Sequence, residues 1–188
     1  PISYTAYKTA KTKSNKVFGM AGVLDTARYK VFIADELGVS PNDVQALLLG
    51  GHGDSMVPLP RYTSVSGIPV TELVAEDKLA AIIERTKKGG GELVNLMGTS
   101  AWYAPGTSAA LMVEAIVRDQ KKIVPVCAYL NGEYGQKDIY LGVPVVLGKN
   151  GVEKVIELKL NNEEKALLDT SADSVKKVMA VLDEMNIL

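Results

Sequence analysis

The sequence predicts an α+β domain in which antiparallel strands pack against long helices. Apolar residues recur at three- and four-residue spacing in several long segments, which indicates amphipathic helices. Three apolar segments near the end of the chain are separated by glycine-containing turns, which indicates an antiparallel meander. No repeat or charged linker divides the sequence, so we expect residues 1–188 to form one domain.

The first half of the chain alternates between helices and short extended segments. The elements predicted there are a short helix at 2–11, an extended segment at 17–21, a helix at 23–37 and a strand at 44–49. Gly38 supplies the C-terminal stop of the second helix. The strand runs directly into Gly50 and Gly51, so it ends in a glycine-containing loop.

The middle of the chain contains a helical pattern that glycines interrupt. Pro58 and Pro60 exclude a regular central strand at 56–62. Helical spacing extends over 76–97, but residues 89–91 are consecutive glycines, each of which costs roughly 1 kcal/mol relative to alanine in a helix. We therefore expect a kink or break there. A phosphate-binding loop is the weaker interpretation, because no strand precedes these glycines and no G-K-[ST] string follows them.

The last third of the chain predicts a helix, three strands and a final helix. The string at 99–108 leads into the first of these helices, and we expect Trp102 and Tyr103 in it to be core anchors, with a pocket-lining role as the alternative. The final helix begins at Asn162. The strands are expected at 123–130, 139–147 and 152–160, with a hairpin turn at 149–151. The final helix packs an apolar stripe on the sheet, formed by Leu168, Ala172, Val175, Met179 and Leu182.

Charge and cysteine content exclude several function classes. The formal net charge is −1, from 21 basic and 22 acidic residues, which favours a small molecule or a protein as partner over nucleic acid or a membrane surface. A basic run at 8–16 is interpreted as a solvated face. Cys127 is the only cysteine, which indicates a buried small side chain in a cytoplasmic protein. We expect no signal peptide, no membrane span and no metal site.

The candidate functional residues are His52, Asp25 and Arg28. His52 is the only histidine, and it lies between glycines in the string GGHGDS, where an imidazole can transfer protons near neutral pH. Asp25 and Arg28 are three residues apart, which places them on one face of the helix at 23–37. Together they can orient the imidazole and clamp an anionic substrate. The alternatives are a first-turn acid for Asp25 and a turn-capping histidine for His52.

Three strings resemble the lactate/malate dehydrogenase family, on the branch of malate dehydrogenases close to lactate dehydrogenase. They are GMAGVLDTAR at 19–28, GGHGDSMVPLPR at 50–61 and GIPV at 67–70. The likeness continues through KKGGGE at 87–92 and the meander to the last helix, so it covers essentially the whole chain. The resemblance implies the fold of the C-terminal domain of that family.

The resemblance also implies roles for individual residues. His52 is the implied proton acceptor and donor at the 2-hydroxyl carbon, Asp25 is its orienting partner, and Arg28 binds the C1 carboxylate of the substrate. Ser100, with Ala101 as the alternative one residue on, is implied to lie beside the substrate or the nicotinamide. The apolar neighbours of the nicotinamide are implied to be Leu24 and Pro105.

A full-length member of the family opens with a strand, a G-x-G-x-x-G turn, a helix and a ribose-binding acid, and no part of this sequence fits that pattern. We therefore expect the C-terminal catalytic and substrate-binding domain of an NAD-dependent malate dehydrogenase, with no Rossmann domain and with NAD bound mainly by a domain absent from this chain. The expected substrate is malate or oxaloacetate, the expected assembly is a homo-oligomer, and the chain alone is expected to have little turnover. The alternatives are a domain of a lactate or other 2-hydroxyacid dehydrogenase, because the same three side chains serve all of them, and a non-catalytic oligomerisation module.

Overall fold

The computed structural model describes residues 2–185, which form six α-helices, four short 3-10 helices and eight strands. The helices are α1 (Ile2–Ala10), α2 (Ala21–Leu37), α3 (Val70–Leu73), α4 (Glu76–Met97), α5 (Tyr103–Val117) and α6 (Asn162–Glu184). The strands are β1 (Val44–Gln45), β2 (Leu48–Gly50), β3 (Met56–Pro58), β4 (Ser64–Val65), β5 (Ile68–Pro69), β6 (Lys122–Asn131), β7 (Lys137–Gly148) and β8 (Gly151–Val155). The predicted α+β class is confirmed.

Strand β7 is the centre of a five-stranded antiparallel sheet. β6 pairs along one edge of β7, whereas β2 and β8 share the other edge, and β3 pairs on the far side of β2. Residues 139–145 of β7 are all buried, so both faces of this strand are covered. Helices α5 and α6 both contact β7, and α2 contacts β6. The predicted meander and its hairpin turn are therefore present, although the third strand is shorter than predicted.

A glycine pair fixes where β2 meets the central strand. Gly50 pairs with Gly142 of β7, and a Cβ on Gly142 would lie only 2.3 Å from the carbonyl oxygen of Gly50. Any larger residue at Gly142 would therefore separate the two strands. The close approach brings the end of β2, and the loop that follows it, against the middle of the main sheet.

A second, smaller core lies under the other end of α2. Strands β1, β4 and β5 form a three-stranded antiparallel sheet. Tyr29 and Ile33 of α2 are fully buried in this core, where they join Leu79 and Ile82 of α4. Helix α2 therefore connects both cores, because its first turns pack on β6 and its later turns pack on α4.

Two expectations about the middle of the chain are wrong. Helix α4 continues through residues 89–91 without a break, because burial of Leu79, Ile82 and Thr86 offsets the low helix propensity of the glycines. Trp102 and Tyr103 are not core anchors: they are 56% and 79% exposed. They stand at the start of α5 and contact each other, with ring centroids 6.0 Å apart.

Smaller differences concern element boundaries. The strand predicted at 44–49 is two short strands in different sheets, β1 and β2. The extended segment at 17–21 forms only an isolated bridge between Gly19 and Cys127. Helix α6 begins at Asn162 as predicted, and its N-cap is Asn161, whose side chain accepts a hydrogen bond from the Glu164 backbone N–H. The apolar stripe of α6 packs on the sheet as predicted.

Two other expectations, about the basic run and about Cys127, are consistent with the structure. The lysines at 8, 11, 13 and 16 are all exposed. Cys127 is only partly exposed, and burial raises the pKa of its thiol, which disfavours the reactive thiolate. Within residues 2–185, none of the helices combines the length and apolar character that a bilayer crossing requires.

The three glycines of α4 give a testable contrast. A Cβ on Gly90 or Gly91 would contact nothing within 4 Å, so Gly90→Ala and Gly91→Ala should each stabilise the fold by about 0.5–1 kcal/mol. A Cβ on Gly89 would lie 2.4 Å from Cδ of Arg28, so Gly89→Ala should stabilise less than either or destabilise. Urea unfolding followed by circular dichroism measures the free energy of unfolding of all three variants. Equal stabilisation at the three positions would contradict this packing.

Candidate active site

Three side chains from two distant segments meet at the start of α2. Asp25 and Arg28 lie in the first two turns of that helix, and His52 lies in the loop between β2 and β3. His52 Nδ1 is 2.7 Å from Asp25 Oδ2, and Arg28 Nη1 donates to Asp25 Oδ1 at 3.2 Å. The convergence expected from the sequence is therefore present, with the carboxylate between the imidazole and the guanidinium.

The first turn of α2 is fixed by a close approach to the main sheet. A Cβ on Gly22 would lie 2.7 Å from the carbonyl oxygen of Pro125 in β6. Because Gly22 has no side chain, this turn lies directly against the strand, and Asp25 one turn later is only 2% exposed. The same strand approaches Gly19, whose backbone exchanges two hydrogen bonds with Cys127. The buried position of the carboxylate follows from this packing.

Arg28 is placed by α4 as well as by its own helix. Its Nη1 also donates to the carbonyl of Thr86 at 3.4 Å, and its stem passes directly over Gly89. Thr86 and Gly89 are neighbours of the candidate site that the sequence did not identify. The glycines at 89–91 could have indicated this contact. However, the same glycine sequence is compatible both with a break in an exposed helix and with a close packing contact in a buried one. The Arg28 side chain is 13% exposed.

The electrostatics of His52 are set by the buried carboxylate. The hydrogen bond to Asp25, together with its negative charge, raises the pKa of the imidazole above the usual 6.5, against smaller lowering effects from burial and from the positive charge of Arg28. An ionised carboxylate only accepts hydrogen bonds, so Nδ1 is the donor in this pair. Among residues 2–185, no hydrogen bond involves Nε2 of the ring. The imidazole side chain is 55% exposed, so this second nitrogen can accept or donate a proton.

His52 lines two cavities of different character. One cavity, of about 690 Å³, has a mostly apolar lining that includes Met20 and Gly22 at the start of α2 and Met112 on α5. The other, of about 770 Å³, is more polar and is lined by Arg28 and by Lys87 of α4. The imidazole therefore lies where an apolar ring and a charged group of a ligand can both approach it.

The remaining predicted site residues lie elsewhere. Ser100 is exposed in the connection between α4 and α5, and Ala101 follows it. Leu24 is buried in α2, and Pro105 is partly buried in the first turn of α5. None of the four lines either cavity beside His52. In the part of the chain that the structure describes, no group of three or more His, Cys, Asp or Glu side chains could hold a metal ion.

The chain matches a family model along most of its length. The model describes the α/β C-terminal domain of lactate/malate dehydrogenase, and it matches residues 22–185. A malate dehydrogenase of Cytophaga hutchinsonii is 72% identical over 182 residues, which are 97% of this chain and 58% of that relative. The chain therefore spans less than two thirds of the length of this relative.

Solved structures share the fold. A malate dehydrogenase from Salinibacter ruber superimposes with a TM-score of 0.97 at 57% sequence identity, covering 98% of this chain and 61% of that chain. A lactate dehydrogenase from Eimeria maxima with NADH and oxamate gives a TM-score of 0.93 at 43% identity, covering 100% of this chain and 59% of that one. The match of the family model, the level of identity and the shared fold together show that this chain belongs to the lactate/malate dehydrogenase family, as its α/β C-terminal domain.

Proposed function

We propose that this chain is the catalytic and substrate-binding domain of an NAD-dependent malate dehydrogenase, which interconverts malate and oxaloacetate. The observation that carries the proposal is the contact of Asp25 with both His52 and Arg28. This contact joins a proton-transfer group to a carboxylate-binding group at one place.

The proton chemistry is assigned to His52. Neutral His52 removes the proton of the 2-hydroxyl of malate through Nε2, and the imidazolium returns it to oxaloacetate in the reverse direction. Asp25 holds the other ring proton on Nδ1, so that Nε2 is the free acceptor, and its negative charge stabilises the imidazolium that forms. The contact with Asp25 raises the pKa of His52 above 6.5, which favours the imidazolium that oxaloacetate reduction requires.

Arg28 is assigned to the C1 carboxylate of the substrate. A guanidinium presents a planar fork that can bind a carboxylate through two parallel hydrogen bonds. Arg28 uses Nη1 for Asp25 and the Thr86 carbonyl, and among the described residues Nη2 makes no hydrogen bond. The polar cavity that Arg28 and His52 share has room for a small dicarboxylate.

The apolar cavity beside His52 fits a nicotinamide ring. Its lining at Met20, Gly22 and Met112 is apolar, and it opens on the imidazole. NAD, when bound, supplies the hydride acceptor for malate oxidation and the hydride donor for the reverse reaction. These residues would hold the ring, and Leu24 and Pro105 remain additional predicted contacts. Ser100 likewise remains a predicted substrate contact.

We propose malate rather than lactate as the substrate because of the sequence identity of this chain to its relatives. Identity is 72% to the Cytophaga hutchinsonii malate dehydrogenase but 43% to the Eimeria maxima lactate dehydrogenase. The fold does not separate the two, since both kinds of enzyme superimpose closely. A homo-oligomeric assembly and a cytoplasmic location remain predictions, as does the alternative of a non-catalytic oligomerisation module.

The proposed activity can be tested in a fusion of the chain with the part of a relative that the chain does not match. We predict that the chain alone has little or no NAD-linked malate oxidation, and that joining it in frame to the part of the Cytophaga hutchinsonii relative outside the match produces an active enzyme. In that fusion, His52→Asn should reduce turnover by roughly 10²-fold or more. The change in NADH absorbance at steady state measures the turnover of the chain alone, of the fusion and of the His52→Asn fusion. Unchanged turnover in the His52→Asn fusion would remove the proposed role.

The assignment of Arg28 predicts that lysine is a poor substitute. Lysine keeps the charge but loses the fork, and one charge-assisted hydrogen bond contributes about 1.5–3 kcal/mol, so kcat/KM for malate should fall roughly 10- to 100-fold in the Arg28→Lys fusion. Arg118→Lys is the matched control, because Arg118 is on the exposed end of α5 with its side chain 72% exposed. Equal kcat/KM in the two variants would contradict the assignment.

The two reaction directions should have opposite pH dependence. Because Asp25 raises the pKa of His52 above 6.5, malate oxidation by the fusion should slow as pH falls through that raised pKa. Oxaloacetate reduction should slow as pH rises through it. Asp25→Asn should move both transitions to lower pH. If kcat/KM for malate oxidation and kcat/KM for oxaloacetate reduction both decreased on the same side of the pH transition, His52 would not be the proton-transfer group.

A further inference from the structure

The loop that carries His52 is closed by a side chain from the last helix. Gly50 and Met56 are the last paired residues of β2 and β3, and residues 51–55 form the loop between them. The backbone N–H of Gly51 donates to Ser171 Oγ at 2.8 Å, and Ser171 Oγ donates to the carbonyl of Ser55 at 2.6 Å. The hydroxyl therefore bridges the first and last residues of the loop.

Ser171 is buried, and its hydroxyl acts both as a hydrogen-bond donor and as an acceptor. It is 3% exposed, and its hydroxyl accepts one bond and donates another. A Cβ on Gly50 would lie 2.5 Å from Ser171 Oγ. The hydroxyl can reach the loop only because residue 50 is a glycine, which also adopts a φ of +85°.

Helix α6, which carries Ser171, is held in place by its N-cap, by an ion pair and by core packing. Its first turn is capped by Asn161, and Glu164 in that turn accepts two hydrogen bonds from Arg61 at 2.8 and 2.9 Å. Leu168 and Ala172, on either side of Ser171, are buried in the main core. Ser171 therefore belongs to a packed helix, whereas the loop that it holds is partly exposed.

The bridge matters because the contact between His52 and Asp25 is short. Nδ1 and Oδ2 are 2.7 Å apart, and an N–H···O hydrogen bond weakens beyond about 3.2 Å. Without the Ser171 hydroxyl, Gly51 N–H and Ser55 C=O either take up water or close on each other. Each change moves one end of a five-residue loop, 51–55, whose second residue is His52.

The geometry points to Ser171 as a positioning residue, whose hydroxyl sets the width of the loop at its two ends and so holds His52 within hydrogen-bonding distance of Asp25. This inference rests on the proposed function, because it gives His52 the proton-transfer role that the positioning serves. Ser171 itself is three residues beyond Leu168 in α6 and lines neither cavity beside His52.

The lone histidine makes the test direct. The pKa of His52 can be followed by NMR on the ring signal of the chain produced without a histidine tag, since no other histidine contributes. Asp25 raises this pKa, and Arg28 is the other charged group that acts on it. The readout therefore reports on the contact between the imidazole and the Asp25 carboxylate without depending on turnover. Burial of the ring lowers the pKa, so a loop that moves away from Asp25 into solvent lowers the pKa only through loss of this contact.

Three variants are compared with the parent chain. Ser171→Ala removes the bridge, and Ser174→Ala is the matched control, because exposed Ser174 on the same helix donates only to the carbonyl of Thr170. Asp25→Asn removes the charge that raises the pKa. We expect the pKa of His52 to fall in Ser171→Ala and in Asp25→Asn, where burial and Arg28 remain as lowering influences, and to keep the parent value in Ser174→Ala.

The outcomes separate this inference from the proposed function. A parent-like pKa in Ser171→Ala, together with a lowered pKa in Asp25→Asn, would overturn the role of Ser171 and leave the proposed function intact. A parent-like pKa in Asp25→Asn would contradict the contact on which both depend. Circular dichroism verifies that each variant is folded. If Ser171→Ala does not fold, Ser171→Cys, whose thiol fills the same position with a somewhat larger atom and hydrogen-bonds only weakly, is measured in its place with the same expected direction.

Discussion

The structure depends on one constraint, which is that the carboxylate of Asp25 is almost completely buried and needs a partner on each oxygen. A buried charge without partners costs several kcal/mol, and Asp25 is 2% exposed. Arg28, one turn along the same helix, supplies one partner, and His52 supplies the other. Because His52 lies 27 residues further along the chain, the fold has to bring the end of β2 to the start of α2.

Close backbone contacts at glycines make that arrangement possible. Gly22 lets the first turn of α2 lie on β6, Gly142 lets β2 meet the central strand, and Gly89 lets the Arg28 stem cross α4. At each position a Cβ would come within 2.7 Å of a neighbouring atom. The three contacts fix three different elements around one carboxylate. The positions of the charged groups are therefore consequences of packing, as much as of the charges themselves.

The sequence predicted what depends on local pattern. The spacing of Asp25 and Arg28 placed both on one helix face, and the glycines around a lone histidine indicated an accessible loop. The sequence could not predict the features that depend on contacts between distant segments of the chain. A glycine run in α4 has low helix propensity, and packing of α4 against α2 and against residues 53–55 keeps that helix continuous. Ser171 is a further case, because a helical serine that bonds a remote loop has the same sequence pattern as Ser174, which bonds its own helix.

The most direct test of the account is the tautomer of neutral His52. If the Asp25 carboxylate accepts a hydrogen bond from Nδ1, the single ring proton above the pKa must be on Nδ1, and Nε2 must be bare and able to accept the substrate proton. A long-range ¹H–¹⁵N correlation spectrum of the ¹⁵N-labelled chain distinguishes the two nitrogens. The account predicts a protonated Nδ1 and an unprotonated Nε2. A proton on Nε2, with Nδ1 bare, would contradict it.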